Sequence, residues 1–418
     1  MHPLLLNALG KALTHFAEAG LSVLRTRADQ WGSATNVAAS PLAPGESGDS
    51  PFAMATALPS LWAAWQRVRN NDGAPGADGI STGAFAHQAP ESLLRLRGEL
   101  CSARWLPGPL RRTMAPCLPS SPSSGRIASA TRCRLLQIPT IRDRIVHTAL
   151  LTALQSRLDP RFHPCSCGWR PGRSCHDAVR LATRLVLKEH RPWVIRTDVR
   201  ECFESLPHSL LHRLLAEAID CPRTLALLRR GFPPLRSAAD QGVPTGSPLS
   251  PLLANIVMDH AFDQPMADNA IPFVRYGDDI LLATHTKREA EAALADVRRS
   301  LRAAGLLLNE QKTAISHVPR EGFDFLGFRF SRGEWQPAPG GIARLAARLN
   351  RLLTGKGAGA CTVAADASAN SWLAYYEPIA GKRAREAVKD TRVRGAQAAP
   401  QDDRYPSAVD CQNNSSSG

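Results

Sequence analysis

The sequence has no uninterrupted run of about eighteen apolar residues, which is the length that a membrane-spanning helix needs. Its apolar N-terminal stretch, Leu4 to Leu24, is broken by Lys11, His15 and Glu18. That stretch also lacks the basic start and the small-residue cleavage site of a secretory signal. We therefore expect a cytoplasmic protein without a membrane partner, in which this stretch forms an amphipathic helix.

The cysteines lack the short, regular spacing of a secreted disulfide scaffold, and no segment repeats with the period of a solenoid. Most of the ten cysteines are therefore expected to be reduced thiols. Acidic residues are also in deficit, because 37 Asp and Glu face 51 Lys and Arg and leave a net charge of +14. A surplus of this size favours a polyanionic partner, most often nucleic acid, although a basic tail alone would also produce it.

Apolar residues are plentiful enough to form cores, since 44% of the residues are hydrophobic and 21% are charged. This composition excludes a wholly disordered or collagen-like chain, and the length predicts about two to four domains or subdomains. Residues 30–60 are rich in Ala, Ser, Pro and Gly. We therefore predict an amphipathic segment and flexible linker over residues 1–57, and a disordered polar tail over residues 392–418.

Between these segments the hydrophobic pattern predicts a mixture of strands and helices. Trp193–Val199 is typical of a strand, and Phe273–Ala283 predicts two short strands joined by a tight Gly-Asp turn. Phe323–Phe330 alternates as a strand with a bulge at Gly327. Residues 341–353 have the pattern of a basic amphipathic helix.

Three carboxylates are candidates for metal chemistry. Asp198 ends one predicted strand, and Asp278 and Asp279 lie on the turn of the predicted hairpin. A few carboxylates are the ligands that Mg²⁺ takes together with substrate phosphates. Two such ions about 3.5–4 Å apart can activate an attacking hydroxyl and stabilise a leaving oxygen. An Asp-Asp dipeptide alone would more often be a solvated turn, so the assignment depends on the surrounding motifs.

These motifs resemble, in order over about residues 73–330, those of the reverse transcriptases of group II introns and their bacterial relatives. Any one motif is weak, whereas the ordered series is specific. The motifs are Gly73–Ser81, Arg134–Arg144, Gly168–Ala178, Arg196–Phe203, Gly242–Ile256, Tyr276–Asp279, Leu308–Thr313 and Phe323–Phe328. Ser371–Glu377 is also similar to a Trp-x-x-Tyr-Tyr motif near the end of thumbs in this group.

The resemblance implies an α+β right-hand polymerase with fingers, palm and thumb, in which the palm is an antiparallel sheet backed by helices. It implies fingers with an N-terminal extension over residues 58–192, a palm over 193–330 and a helical thumb over 331–391. The implied reaction is RNA-directed DNA polymerisation, a nucleotidyl transfer. Its partners would be an RNA template, a DNA or RNA primer and dNTPs, with two Mg²⁺ ions, or Mn²⁺ in their place.

The resemblance also implies roles for individual residues. Asp198, Asp278 and Asp279, with the backbone carbonyl of Val199, would hold the metal ions. Lys312 would protonate the leaving pyrophosphate, although a plain surface lysine is an equal alternative. The residues implied at the nucleotide site are Arg132, Arg134, Val199, Phe203, Thr245 and Gly246.

Within this nucleotide site, Arg132 and Arg134 would bind the triphosphate, unless they belong to a solvated basic loop. Phe203 would be a steric gate that excludes the ribose 2′-OH, and its alternative is an ordinary core phenylalanine. The resemblance further implies a primer grip at Phe325, Leu326, Gly327 and Phe328, and duplex contacts by the arginines of residues 341–353.

Several positions depart from the family's pattern. Thr245 replaces a usual Gln, Gln137 replaces a usual Gly, and Gly277 stands where the family has Ala. None of these changes removes a metal ligand, so we expect an active enzyme.

A separate zinc site is not predicted. Cys165, Cys167, Cys175 and His176 are close in the sequence, but their spacing is not that of a usual structural zinc site.

Two alternative functions remain at this stage. Gly-Asp-Asp also occurs in RNA-dependent RNA polymerases, against which Phe203 argues. A maturase-like RNA-binding protein with secondary polymerase activity is the other alternative. The biological setting implied is a group II intron, a CRISPR-associated system or anti-phage defence, with intron RNA or a CRISPR or defence protein as a further partner.

Overall fold

The computed structural model describes residues 50–116, 133–233, 235, 240–353 and 358–398. The chain divides into two compact units. Of the described residues, the first unit contains those up to 317 and the second contains those from 318 to 398.

The first unit is built around a four-stranded antiparallel sheet. Its strands follow the order β4–β5–β3–β6, so the two central strands are adjacent although about 80 residues separate them in the chain. The strands are β3 Trp193–Asp198, β4 Phe273–Tyr276, β5 Asp279–Thr284 and β6 Ala314–His317.

Helices pack on this sheet because its central strand β5 is apolar on both faces. Every residue of β5 is buried except Asp279 at its start. The helices of the first unit are α1 Pro51–Thr56, α2 Leu58–Asn71, α3 Thr82–Ala86, α4 Ala89–Cys101, α5 Ile141–Leu158, α6 Cys175–Thr183, α7 Cys202–Ser205, α8 His208–Ala218, α9 Pro222–Gly231, α10 Ser250–Met258, α11 Gln264–Asp268 and α12 Lys287–Ala303.

Helix α12 shows why these residues pack on the sheet. Thr286 caps its N-terminus by accepting a hydrogen bond from the backbone N–H of Glu289. Its buried residues recur at helical spacing and contact β3 and β5. Those residues are Ala290, Ala293, Leu294, Val297 and Leu301.

A second, two-stranded sheet belongs to the same unit. Strand β1 (Arg111–Pro116) pairs antiparallel with β2 (Cys133–Ile138). The 16 residues between the strands lie outside the described part of the chain.

The second unit consists of a three-stranded antiparallel sheet and helices. Its longest helix, α15, contains Pro378 and is kinked at Gly381. The elements are α13 Val318–Glu321, β7 Phe323–Phe325, β8 Phe328–Ser331, β9 Glu334–Pro337, α14 Pro339–Leu353 and α15 Ala358–Ala398.

Three local predictions need correction. Helix α1 begins at Pro51, inside the predicted linker, because Ser50 caps it and Phe52 is buried. Phe323–Phe330 is a hairpin rather than one bulged strand, because two residues at positive φ reverse the chain after Phe325. Helix α15 reaches Ala398, past the predicted start of the tail at residue 392. The predicted segment over residues 1–49 lies outside the described residues.

In the described part of the chain, no helix is long and apolar enough to cross a lipid bilayer.

Candidate active site

A tight turn between β4 and β5 carries two of the three predicted metal ligands. Tyr276 pairs with Asp279 across the hairpin, which leaves Gly277 and Asp278 as the turn. Gly277 has φ +68°, a conformation that glycine adopts without steric cost. Because the strands on both sides are buried, the turn is held at the edge of the core. The predicted hairpin is thus present at the predicted residues.

The third predicted ligand faces this turn from the neighbouring strand. Asp198, at the end of β3, lies directly opposite Asp279 in the antiparallel register. The adjacent backbone is tied down as well, since the N–H of Val199 donates to the carbonyl of Asp278 at 3.3 Å. The N–H of Asn309 donates to the carbonyl of Asp198 at 2.9 Å. The sheet therefore places Asp198 opposite Asp279, next to the turn residue Asp278.

The electrostatics of the pair favour a cation. Asp279 keeps contact with solvent, but the dense protein around its carboxyl disfavours the charged form and, with Asp278 and Asp198 nearby, raises its pKa to about 6. Asp198 is 5% exposed, and its Oδ2 forms an ion pair with Nζ of Lys312. Its Oδ1 is buried and accepts no hydrogen bond from the residues that the structure describes.

These observations fit an oxygen-ligated divalent cation. A buried carboxylate oxygen without a hydrogen-bond donor needs a positive partner. The neighbouring carboxylates also repel each other unless a cation is bound between them. Carboxylate oxygens and a backbone carbonyl, such as that of Val199, are the donor types that Mg²⁺ takes. The site is not a preformed cage, because the described residues contain no group of three or more acidic, histidine or cysteine side chains already gathered for a metal.

A fully buried polar network is hydrogen-bonded to the backbone of the turn. Arg275, with no exposed surface, donates from Nε to Asp263 Oδ1 at 2.7 Å. Its Nη1 donates to the carbonyl of Gly277 at 2.9 Å and to Asn255 Oδ1 at 2.8 Å. Asn255 Nδ2 in turn donates to the carbonyl of Gly168 at 3.0 Å. No local sequence signal predicts this network, since charged residues are usually exposed and nothing near them in the sequence indicates their burial.

The aromatic side chain of Trp169 also lies against the turn. The rings of Trp169 and Phe203 are 5.1 Å apart at their centroids, so the predicted steric gate has an aromatic neighbour. A Cβ placed on Gly277 would lie 2.8 Å from Cζ2 of Trp169. Phe203 itself is half-buried, which is compatible with both a core role and contact with a ligand.

The predicted nucleotide-site residues Thr245 and Gly246 pack against strand β2. The backbone N–H of Gln137 donates to Thr245 Oγ1 at 3.2 Å, and the N–H of Gly246 donates to the carbonyl of Gln137 at 3.0 Å. Ser247 Oγ is 3.0 Å from Nδ1 of His147. Burial of this histidine lowers its pKa to about 3. A neutral imidazole therefore supports this loop.

Two predicted triphosphate ligands cannot be placed in the site. Arg132 lies outside the described residues. The backbone of Arg134 pairs with Ala115 in the β1–β2 sheet, and its side chain is outside the described part of the structure.

The predicted primer grip lies in the second unit. Phe325 and Phe328 pair across the β7–β8 hairpin, with Leu326 and Gly327 as its turn. Tyr375 donates from its hydroxyl to the carbonyl of Leu326 at 2.8 Å. Both tyrosines of the Trp-x-x-Tyr-Tyr motif pack against Phe328. This packing explains why the hairpin groups with α14 and α15 rather than with the predicted palm.

The cysteines of the rejected zinc site are free thiols. Burial raises the pKa of Cys165, and it raises that of Cys167 to about 11. Both thiols are therefore held in the protonated form, which is a poor nucleophile.

Comparison with known proteins identifies the group to which this site belongs. Residues 123–330 match the family described as reverse transcriptase (RNA-dependent DNA polymerase). The chain is 32% identical over 303 residues to protein YkfC of Escherichia coli (strain K12), a match that covers 62% of this chain and 76% of YkfC. It is 28% identical over 211 residues to the group II intron-encoded protein LtrA of Lactococcus lactis subsp. cremoris, covering 49% of this chain. This chain spans only 33% of the length of LtrA.

Two solved structures are similar to part of this chain, both at TM-scores below 0.5. Telomerase from Candida albicans, in complex with a fragment of telomeric RNA, overlaps 77% of this chain and 60% of its own, with a TM-score of 0.42 and 12% identity. A partial Cas6-RT-Cas1–Cas2 complex overlaps 61% of this chain and 41% of its own, with a TM-score of 0.37 and 21% identity.

Proposed function

Because the chain belongs to the reverse transcriptase (RNA-dependent DNA polymerase) family, we propose that Asp198, Asp278 and Asp279 form the catalytic centre at which it copies RNA into DNA. The protein is a nucleotidyltransferase with the α+β fold of a right-hand polymerase. The proposed reaction adds dNTPs to the 3′-OH of a primer and releases pyrophosphate.

One observation carries this assignment to residues. Asp198 and Asp279 are cross-strand neighbours, and the buried Oδ1 of Asp198 has no donor in the described part of the chain. A surface turn that merely exposed two acids would not require a buried third acid beside it. Two bound Mg²⁺ ions, or Mn²⁺ in their place, would supply activation of the 3′-OH and neutralisation of phosphate charge.

The protein's own residues hold and orient the reactants in this proposal. Asp198, Asp278 and Asp279 would hold the ions, with the carbonyl of Val199 as a further ligand. Lys312 neutralises Asp198 in the free protein, as their ion pair indicates. When substrate binds, the ammonium group of Lys312 would turn to the leaving pyrophosphate and donate a proton to that group.

The nucleotide would be selected beside this centre. Phe203 would exclude a ribose 2′-OH, which its half-buried ring next to Trp169 supports. Thr245 and Gly246 would line the site, and Arg132 and Arg134 would bind the triphosphate. In the second unit, the β7–β8 turn would hold the primer end, and the exposed arginines of α14 would bind the duplex backbone.

The proposed partners are an RNA template, a DNA or RNA primer and dNTPs, together with intron RNA or a CRISPR or defence protein. The net charge of +14 supports a nucleic-acid partner. We further propose that the protein acts in the cytoplasm.

Primer extension on a defined RNA template with Mg²⁺ tests this function. The reactions compare dNTPs with rNTPs, and the wild type with Asp278→Ala and with Asp268→Ala. Asp268 is an exposed acid at the end of α11, so its replacement is the matched control. We expect DNA product from the wild type and the control and none from Asp278→Ala.

The other outcomes separate the alternative functions. Extension with rNTPs in preference to dNTPs would indicate an RNA-dependent RNA polymerase. Tight binding of intron RNA without extension, unchanged by Asp278→Ala, would indicate a maturase-like RNA-binding protein. Full extension by Asp278→Ala would reject the assigned centre.

A further inference from the structure

Trp169 lies between the catalytic turn and the proposed steric gate. Its indole ring is 5.1 Å from the ring of Phe203, between centroids. The indole atoms Cζ2, Cη2 and Cε2 would also be 2.8, 3.0 and 3.1 Å from a Cβ on Gly277. Side-chain carbons do not approach that closely, so this indole occupies space that any larger residue at position 277 would need.

The loop that carries Trp169 has little freedom to withdraw from the turn. The N–H of Cys167 donates to the carbonyl of Arg275 at 2.8 Å, and the N–H of Arg275 donates to the carbonyl of Cys165 at 3.0 Å. A Cβ on Gly168 would lie only 2.0 Å from the backbone nitrogen of Gly277, so the two backbones are in direct contact.

The backbone of Trp169 itself is held in an uncommon conformation. Its φ is +60°, in the left-handed region that few non-glycine residues adopt. Such conformations persist where the surrounding structure over-determines them, and they cluster at functional sites.

We propose that Trp169 is a positioning residue that fixes Phe203 relative to the Asp278–Asp279 turn and thereby sets discrimination against ribonucleotides. This inference rests on the proposed polymerase function and on the proposed gate role of Phe203. The ring of Phe203 can exclude a 2′-OH only if it cannot tilt away, and Trp169 fills the space into which it would tilt.

The size of the two neighbours is matched in this chain. The Trp169 indole leaves no space for a Cβ at position 277, and glycine is the one residue that has none. The two side chains are therefore fitted to each other, as a close-packed contact requires. The two positions should therefore be coupled, because residues in direct contact show non-additive effects.

A four-protein cycle tests the coupling, with wild type, Trp169→Phe, Gly277→Ala and the double variant. Urea unfolding gives a readout that does not depend on polymerisation. We expect Gly277→Ala to lower the unfolding midpoint and to slow dNTP addition about tenfold, because its Cβ collides with the indole. The double variant should recover the part of both losses that the collision causes, since the smaller phenylalanine ring leaves space for the Cβ. The cost of alanine at the positive φ of position 277 should remain in both Gly277→Ala proteins.

The second readout is the ratio of kcat/KM for dNTPs to that for rNTPs. We expect Trp169→Phe to reduce this ratio about tenfold while dNTP addition falls less than about threefold. Phe203→Ala is the positive reference. Trp193→Phe is the matched control, since Trp193 lies at the far end of β3 against His317 and should leave the ratio unchanged.

Two results would overturn the inference. One is a Trp169→Phe variant that loses stability but keeps the wild-type ratio, which would make Trp169 a packing residue only. The other is a double variant whose losses equal the sum of the single ones. Both results differ from failure of the proposed function, in which the wild type would extend no primer. In that case the urea unfolding of the four proteins would still measure the coupling between positions 169 and 277.

Discussion

Asp198 and Asp279 lie opposite each other on adjacent antiparallel strands, and one of them is buried. Two carboxylates in this relationship destabilise each other when both are ionised. The fold accepts this cost at the site where the proposed reaction needs negative charge, as active sites commonly do.

The first prediction concerns the pH dependence of stability. Folding raises the pKa of Asp279 from 3.8 to about 6. The main cause is desolvation of its carboxyl, and repulsion by Asp278 and Asp198 adds to it. The native state therefore favours the protonated form, and this contribution to stability is full below pH 3.8 and is lost as the pH rises through about 6. Because Asp279 is exposed, solvent screening makes the contribution small. We expect Asp279→Asn to exceed the wild type in resistance to urea at pH 8, and the difference to shrink at pH 4.

Magnesium provides the control for this prediction. At pH 8, millimolar Mg²⁺ should stabilise the wild type and have a smaller effect on Asp279→Asn, because a ligand stabilises the state that binds it. An Asp279→Asn variant less stable than the wild type at pH 8 would contradict the proposed repulsion.

The second prediction concerns the buried ion pair between Arg275 and Asp263. Removing one partner of a buried pair leaves an uncompensated charge and costs about 3–5 kcal/mol. We expect Arg275→Met to lower the free energy of unfolding by about that amount and to abolish extension, because the carbonyl of Gly277 also loses its donor. Arg298→Met is the control, since Arg298 pairs with Glu310 at the surface and should cost at most about 1 kcal/mol. Equal costs for the two variants would show that the buried network does not support the turn.

The features of this site differ in how far the sequence predicts them. The β4–β5 hairpin was predictable because its apolar residues and its Gly-Asp turn are local signals, and the structure confirms it. The contact between Asp198 and Asp279 followed from the family resemblance. The Arg275–Asp263 pair was not predictable, since its burial depends on packing between distant segments and its residue types are usually exposed. The β7–β8 hairpin was misjudged because its turn residue Leu326 is not a usual turn former.

The third prediction concerns the close approach of Gly246 to strand β2. A Cβ at this position would lie 2.6 Å from the carbonyl oxygen of Gln137 and 3.2 Å from Cα of Ile138, and backbone atoms cannot move aside as a side chain can. We expect Gly246→Ala to cost about 1–3 kcal/mol of stability and to raise KM for dNTPs. Urea unfolding and steady-state extension measure the two effects.

A glycine in open space is the matched control for that variant. Gly98 lies inside α4 and has no atom within 4 Å of the position that a Cβ would take. Gly98→Ala should stabilise the protein by about 0.5–1 kcal/mol and leave KM unchanged. If Gly246→Ala behaved like Gly98→Ala, the contact between the loop and β2 would not be tight in solution.

The fourth prediction concerns Leu326, the first residue of the β7–β8 turn. Leu326 and Gly327 have φ of +47° and +81°, the signs that a two-residue hairpin turn requires at both positions. Asn-Gly is the favoured pair for such a turn, whereas leucine in the left-handed region costs about 1–2 kcal/mol. We therefore expect Leu326→Asn to stabilise the hairpin by up to about 1 kcal/mol, as read from amide hydrogen exchange in β7 and β8.

A strained leucine at this turn favours a role for its half-buried side chain in the proposed primer grip. Leu326→Asn should then raise KM for the primer while the hairpin becomes more stable, because the strained residue supplies apolar contact rather than stability. Tyr375→Phe is the opposite control, since it removes the hydrogen bond to the carbonyl of Leu326 and should weaken the hairpin by about 1 kcal/mol. A stabilised Leu326→Asn hairpin with an unchanged primer KM would mean that the leucine does not contact the primer, and the grip would then depend on the backbone of the turn and on Phe325 and Phe328.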